Sequence, residues 1–253
     1  MSSVAVGLCA AVLAFACGVV GLFLQRKLPE HYTKDHSRDM ISAVVGLVTL
    51  LSALVMGLLI WTSYGVYTAQ RTAVQTFASQ VLQLDRALAE LGPEAASGRA
   101  MLKDDVARTH EQFWGLGNTD FVARNYEAAL TNLQERRRFL SELHPTTDLQ
   151  KQALSTAQQL TTSIGQTRLL LSLQLDDPVS WPLLSIVVSW VSLLFCGFGL
   201  MSRINSMTVC ALGFGALAVG SAAYLIVDLS EPYSGLFRVS PAALERVAAD
   251  LGK

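Results

Sequence analysis

The chain has 253 residues, of which 51% are hydrophobic and only 15% charged, and its mean hydropathy of +0.39 is too apolar for an ordinary soluble domain. A formal net charge of −1, from 19 basic and 20 acidic residues, argues against any general attraction to nucleic acid, and no Arg/Lys cluster with interleaved aromatics appears. The four cysteines, Cys9, Cys17, Cys196 and Cys210, lie inside apolar segments where a thiol acts as a small apolar group, so they carry no information on redox compartment.

Four long apolar segments, Val4–Leu24, Ile41–Tyr64, Trp181–Leu200 and Thr208–Leu229, each have the length of about 20 residues that a helix needs to cross a ~30 Å hydrocarbon core. The first is free of charge from Met1 to Leu24, and Arg26-Lys27 follow the apolar run instead of preceding it as in a secretory signal, so a retained helix is expected. Small residues recur at helical spacing in the first span (Gly7, Ala11, Ala14, Gly18, Gly21), the second (Ser42, Gly46, Thr49, Ala53) and the fourth (Ala211, Gly215, Ala218, Ala222), marking faces where another backbone can come close. Arg26, Lys27, Lys34, Arg38 and Arg203 concentrate positive charge in the two short loops, which favours placing those loops in the cytoplasm.

From Ile41 to Gln70 there is no Asp, Glu, Lys, Arg or His, and beyond the span Val74, Phe77, Val81, Leu84, Leu88 and Leu91 alternate steps of three and four. Gly92-Pro93 ends that pattern, so the second span is expected to continue as one helix of about 50 residues, ~75 Å long. A helix over Glu94–Trp114 with Leu102, Val106 and Phe113 inward, a turn at Gly115–Asn118, and a helix from an N-cap at Thr119 to Leu143 follow. The last helix of the insert carries the stripe Leu149, Ala153, Ala157, Leu160, Ile164, Thr167 and Leu171, and only Asp176-Asp177-Pro178 separates it from the third span. The fold class is therefore an all-α membrane protein with four transmembrane helices in two pairs flanking an extramembrane helical bundle. Residues 1–66 hold the first two spans, 67–178 the bundle, 179–230 the last two spans, and 231–253 a C-terminal interfacial tail.

Catalytic signatures do not appear. The four histidines, His31, His36, His110 and His144, are dispersed, and there is no HExxH, no Cys pair at ligand spacing, no Gly-rich phosphate loop and no GxSxG, so neither metal nor cofactor is expected and the chain does not read as an enzyme. Ser185, Ser189 and Ser192 form one polar stripe on the third span, suited to a wet path or to packing through hydrogen bonds. Glu135-Arg136-Arg137-Arg138 is a solvated or intersubunit charge cluster, or else an anion-attracting vestibule. Arg168, beside the apolar stripe, calls for a buried carboxylate or a lipid headgroup. Asp228 and Glu231 close the fourth span; a carboxylate there needs a partner such as Arg71, Arg168 or Arg238, or forms a ring around an oligomer axis that selects cations.

Arg26-Lys27-Leu28-Pro29-Glu30-His31 with Ser37-Arg38-Asp39, the second span, Leu84-Asp85-Arg86-Ala87-Leu88 with Gly92-Pro93-Glu94-Ala95, Gly165-Gln166-Thr167-Arg168, and Asp228-Leu229-Ser230-Glu231-Pro232-Tyr233-Ser234-Gly235-Leu236 resemble a bacterial integral-membrane family of unknown function described as bestrophin-like. The resemblance covers nearly the whole chain. It implies four membrane helices and a remote similarity to bestrophin anion channels, which are pentamers with a helical cytosolic domain between two helix pairs. Two departures stand out: Val44–Leu59 has no aromatic where bestrophins narrow their pore with bulky side chains, and Asp228 and Glu231 are too few for their acidic calcium clasp. The cytosolic placement of the bestrophin domain also runs against the charge distribution of the short loops.

The expectation is a homo-oligomer in the bacterial inner membrane that contacts lipid and small ions and forms an ion-conducting pore. Its lining would come from Ser42, Gly46, Thr49, Ala53, Ser185, Ser189 and Ser192, with Asp228, Glu231 and Arg168 as the charges that bear on selectivity. The alternative is a non-conducting sensor or scaffold whose helical bundle binds a partner or transmits a signal.

Overall fold

The computed structural model describes residues 2–27, 35–114, 121–173, 180–202, 204–233 and 235–251, with the side chains of 35–39, 121–129 and 172–173 left aside. Among these residues there are eight α-helices and no strand: α1 Ser3–Lys27, α2 Asp35–Leu91, α3 Ala96–Trp114, α4 Phe121–Glu142, α5 Asp148–Leu173, α6 Trp181–Met201, α7 Ser206–Ser230 and α8 Ala242–Asp250. A 3-10 turn at Pro93–Ala95 leads into α3. Helices α1, α6 and α7 and the first part of α2 are long and apolar enough to cross a membrane, so the molecule is an all-α membrane protein with four spans. It divides into two compact units, Met1–Val66 with Val179–Phe237, and Tyr67–Pro178 with Arg238–Lys253.

In the first unit α1 packs along both α6 and α7. Lipid tails are as apolar as leucine, so close backbone approach and dispersion must hold the helices together, and that approach needs glycine at the crossing points. A Cβ on Gly220 of α7 would lie 2.6 Å from the Gly7 carbonyl oxygen, and one on Gly7 would lie 2.8 Å from the Gly220 carbonyl oxygen. Gly199 of α6 stands equally tight against the backbone of Gly18 and Leu22, as Gly21 does against Cys196. Ala10, Ala14 and Leu22 of α1 then pack with Val187, Val191 and Phe195 of α6, Leu212, Ala216 and Ile226 of α7, and Leu59 of α2. The packed face of α7 differs from the expected one: Leu212, Ala216, Gly220 and Ala223 are buried, whereas Ala211 and Ala218 are exposed. In a helix this rich in small residues two adjacent stripes look alike, and the contact of Gly220 with α1 selects between them.

The second unit is built on α2 and α5. Val74, Phe77, Val81, Leu84, Leu88 and Leu91 are all buried, as are Ala153, Ala157, Ile164 and Leu171, so the alternating threes and fours do mark the seam between packed helices. Leu102, Val106 and Phe113 bury the inner face of α3, as expected. α2 ends where Gly92 takes φ +92°, a conformation that side-chain-bearing residues avoid, and its N–H closes the helix on Ala89 O at 3.1 Å.

Leu149 departs from the expected stripe, being 80% exposed. The reason is a capping box at the start of α5. The Gln150 N–H donates to Thr147 Oγ1 and the Thr147 N–H donates to Gln150 Oε1, both at 3.2 Å. Gln150 also donates from Nε2 to the carbonyl of Leu91, the last residue of α2, at 3.2 Å. Gln150, not Leu149, therefore faces α2. α8 brings Leu244, Val247 and Leu251 into the core of this unit, and Trp114 Nε1 donates to Val239 O at 2.8 Å. Residues 238–251 thus pack with the bundle. The expected turn at Gly115–Asn118, the cap at Thr119 and the segment Asp176-Asp177-Pro178 lie outside the described residues.

Candidate functional site

The membrane part of α2 is the least covered of the four spans. Leu47, Leu50, Leu54, Leu58 and Trp61 are exposed, an apolar surface suited to lipid or to another protein. Ser42, Gly46 and Thr49 share a groove with Leu50 of α2 and with Phe198 and Met201 of α6, of about 480 Å³. Nothing stands within 4 Å of a Cβ placed on Gly46. The Thr49 hydroxyl donates to Val45 O at 2.7 Å, so the helix itself satisfies its proton. Ala53 is exposed one turn further on.

The serines of α6 do not share one environment. Ser192 is buried and donates to Val188 O at 2.7 Å, Ser185 is exposed and donates to Pro182 O at 2.8 Å, and Ser189 is exposed. Ser192 is thereby a packing residue whose hydroxyl is returned to its own helix.

At the end of α7 the Asp228 carboxylate is 1% exposed and organises the turn that follows. Its Oδ2 accepts from the N–H of Phe237 at 2.8 Å and of Leu236 at 3.1 Å, and its Oδ1 accepts from the Ser3 hydroxyl at 3.0 Å. The Tyr224 hydroxyl, one turn earlier, bonds the same carboxylate. A carboxylate at a helix C-terminus opposes the macrodipole, and these four donors offset that cost. Asp228 is thus satisfied by hydroxyls and backbone amides of its own unit, not by an arginine as the sequence suggested. Glu231 is half-buried, and its N–H donates to Asp228 O at 3.3 Å to close the helix.

Arg168 of α5 is 1% exposed and meets a carboxylate, one of the two partners its position called for. Its Nη1 donates to Asp105 Oδ1 at 2.6 Å and its Nη2 to Gln112 Oε1 at 3.0 Å. The other oxygen of Asp105 accepts from Arg136 Nη2 at 2.9 Å, and Asn132 Nδ2 donates to Asp105 as well. Arg136, at 7% exposure, therefore belongs to the interior, and only its neighbours Glu135, Arg137 and Arg138 form the expected solvated cluster. Burial pushes the Arg136 guanidinium below its usual pKa, Asp105 opposes this, and Arg168 adds to it.

Asp105 was not singled out from sequence and Arg136 was read only as part of a surface charge run, although both sit at core spacing, Asp105 three residues after Leu102 and Arg136 four before Leu140. A second pair fixes the top of α3: Arg99 donates through Nε and Nη2 to the two oxygens of Asp85 at 2.7 and 2.8 Å. Among the described residues no group of three or more His, Cys, Asp or Glu is arranged to hold a metal.

A family model for the bestrophin-like domain matches residues 12–244. The chain belongs to the bestrophin-like family. The matched region of this bestrophin-like protein takes in α2 to α7 whole and α1 from Val12 onward, and Ser3, which bonds Asp228, lies before it. No curated protein and no solved structure matches the chain.

Proposed function

We propose that this bestrophin-like protein is a homo-oligomeric ion channel of the bacterial inner membrane, with the Ser42-Gly46-Thr49-Ala53 face of α2 lining the conduction path. The observation that carries the reading is the uncovered state of that face in a single chain. A polar, small-residue strip beside exposed leucines is poorly suited to lipid and well suited to a water-filled axis shared by several copies. Ser185 and Ser189, exposed on α6, are secondary candidates for the lining, and Arg168 and Asp228 act by holding their units together. Family membership supports a channel-related role. No catalytic step is assigned to the chain.

Cysteine accessibility tests the lining. In a background with Cys9, Cys17, Cys196 and Cys210 replaced by alanine, Ser42→Cys, Gly46→Cys and Thr49→Cys should react with a charged aqueous thiol reagent and lose conductance, while Leu54→Cys should not. Equal inertness at all three polar positions would remove α2 from the pore.

One observation favours a second reading. α2 is a single helix of 57 residues that contributes to both units, which suits a sensor or scaffold that passes a signal without conducting. A pull-down in which the full chain retains a stoichiometric partner, together with absence of ion flux, would favour it.

A further inference from the structure

Val45 of α2 lines two separate grooves in the first unit. A Cβ on Gly197 of α6 would stand 3.2 Å from Val45 Cγ2, so α2 and α6 approach closely there. One groove is that of Ser42, Gly46 and Thr49, described above. The other, of about 340 Å³, is walled by Val44, Val48 and Leu51 of α2 and by Trp190, Leu193 and Leu194 of α6.

All of this second lining is apolar and belongs to two of the spans, so its occupant is one that the hydrocarbon core supplies. Val44, Val48 and Leu51 follow at steps of four and three, which keeps them on one face of α2 over about 10 Å of its axis. The groove therefore runs along a membrane-crossing helix, the direction in which lipid chains lie. It is too small for another helix, a single turn of which fills roughly 420 Å³ as a rod ~10 Å across and ~5.4 Å high. Valine is branched at Cβ and nearly fixed in one rotamer on a helix, and the Trp190 indole is rigid, so the walls stand before anything enters. A chain held between two walls gains more dispersion contacts than one lying on the outer leucines of α2.

We propose that this groove between α2 and α6 binds one acyl chain of a membrane phospholipid. No side chain of the lining carries a charge or a hydroxyl, so the site reads the chain and leaves the headgroup at the membrane surface. The inference stands whether or not the protein conducts.

Contact quenching by bromine tests the site in the purified full chain. With Trp61→Phe and Trp181→Phe, Trp190 is the one tryptophan left in the first unit, since Trp114 belongs to the second. Titrated in detergent with phosphatidylglycerol brominated along its acyl chains, this variant should lose Trp190 emission in a phase that saturates at one lipid per chain. Val48→Phe, which fills the groove, should abolish that phase. A companion with Trp181→Phe and Trp190→Phe reports from Trp61, which is 72% exposed, and should lose emission gradually without saturating. Gradual loss at Trp190 as well, a saturating phase at both tryptophans, or one that survives Val48→Phe would overturn the proposal. Saturation by a brominated fatty acid but not by the phospholipid would also overturn it. Should Val48→Phe not fold, the comparison of Trp190 with Trp61 decides alone.

Discussion

Gly235 stands directly against the carboxylate of Asp228, at φ +79°, so close that a Cβ on Gly235 would overlap an oxygen of the acid. The turn after the fourth span therefore depends on two residues at once, an acid that gathers backbone N–H groups and a glycine that leaves room for it. Gly235→Ala combines left-handed backbone strain with a steric conflict and should destabilise the protein by about 2–4 kcal/mol. A thermal or denaturant melt of the detergent-solubilised chain measures this, and an unchanged midpoint would mean that the turn is not held by Asp228.

Removing the acid itself separates charge from geometry. Asp228→Ala leaves the Leu236 and Phe237 amides and the Ser3 hydroxyl without their acceptor and should cost about 2–3 kcal/mol. Asp228→Asn keeps one acceptor oxygen and should cost less. Hydrogen exchange at Leu236 and Phe237 should accelerate in the alanine variant and less in the asparagine one.

Glycines of the spans divide by what surrounds them. Gly220→Leu would force α1 and α7 apart and should lower stability by about 2–3 kcal/mol or more. Gly57→Ala, where nothing lies within 4 Å, should leave stability unchanged or raise it by up to about 1 kcal/mol through helix propensity. Steric-trap or denaturant unfolding in detergent orders the two, and equal effects would contradict the packing of α1 against α7.

The capping box at α5 gives a prediction confined to the second unit. Gln150→Ala loses the bonds to Thr147 and to the end of α2 and should cost about 1–2 kcal/mol. Leu149→Ala, one residue earlier and exposed, should stay within about 0.5 kcal/mol of the unmodified chain.

Arg99 and Asp85 make a two-point contact that a lysine cannot reproduce. Arg99→Lys should weaken the docking of α3 by about 1 kcal/mol, discounted for the partial exposure of the arginine. Faster hydrogen exchange in the first turns of α3, without change in α7, is the expected signature.

Long-period features were legible in the sequence. Apolar runs set by membrane thickness gave the four spans, and the alternating threes and fours from Val74 to Leu91 gave the seam of the second unit, because both patterns repeat over many residues. Features that depend on one contact were not. The packed face of α7 turned on Gly220 meeting α1, the exposure of Leu149 turned on the side-chain bonds of Gln150, and the partners of Asp228 lie more than two hundred residues away at Ser3 and in a turn whose shape no period encodes. The candidate site was legible only in outline: Arg168 stood out beside its apolar stripe, but Asp105 and Arg136 were hidden among adjacent surface charges.

The central claim is conduction, and single-channel recording from purified protein in planar bilayers tests it most directly. Discrete current steps whose amplitude changes in Ser42, Gly46 or Thr49 variants are the predicted result. Silence of the reconstituted, correctly assembled protein across ions, voltages and pH would contradict a channel and leave the sensor or scaffold reading in its place.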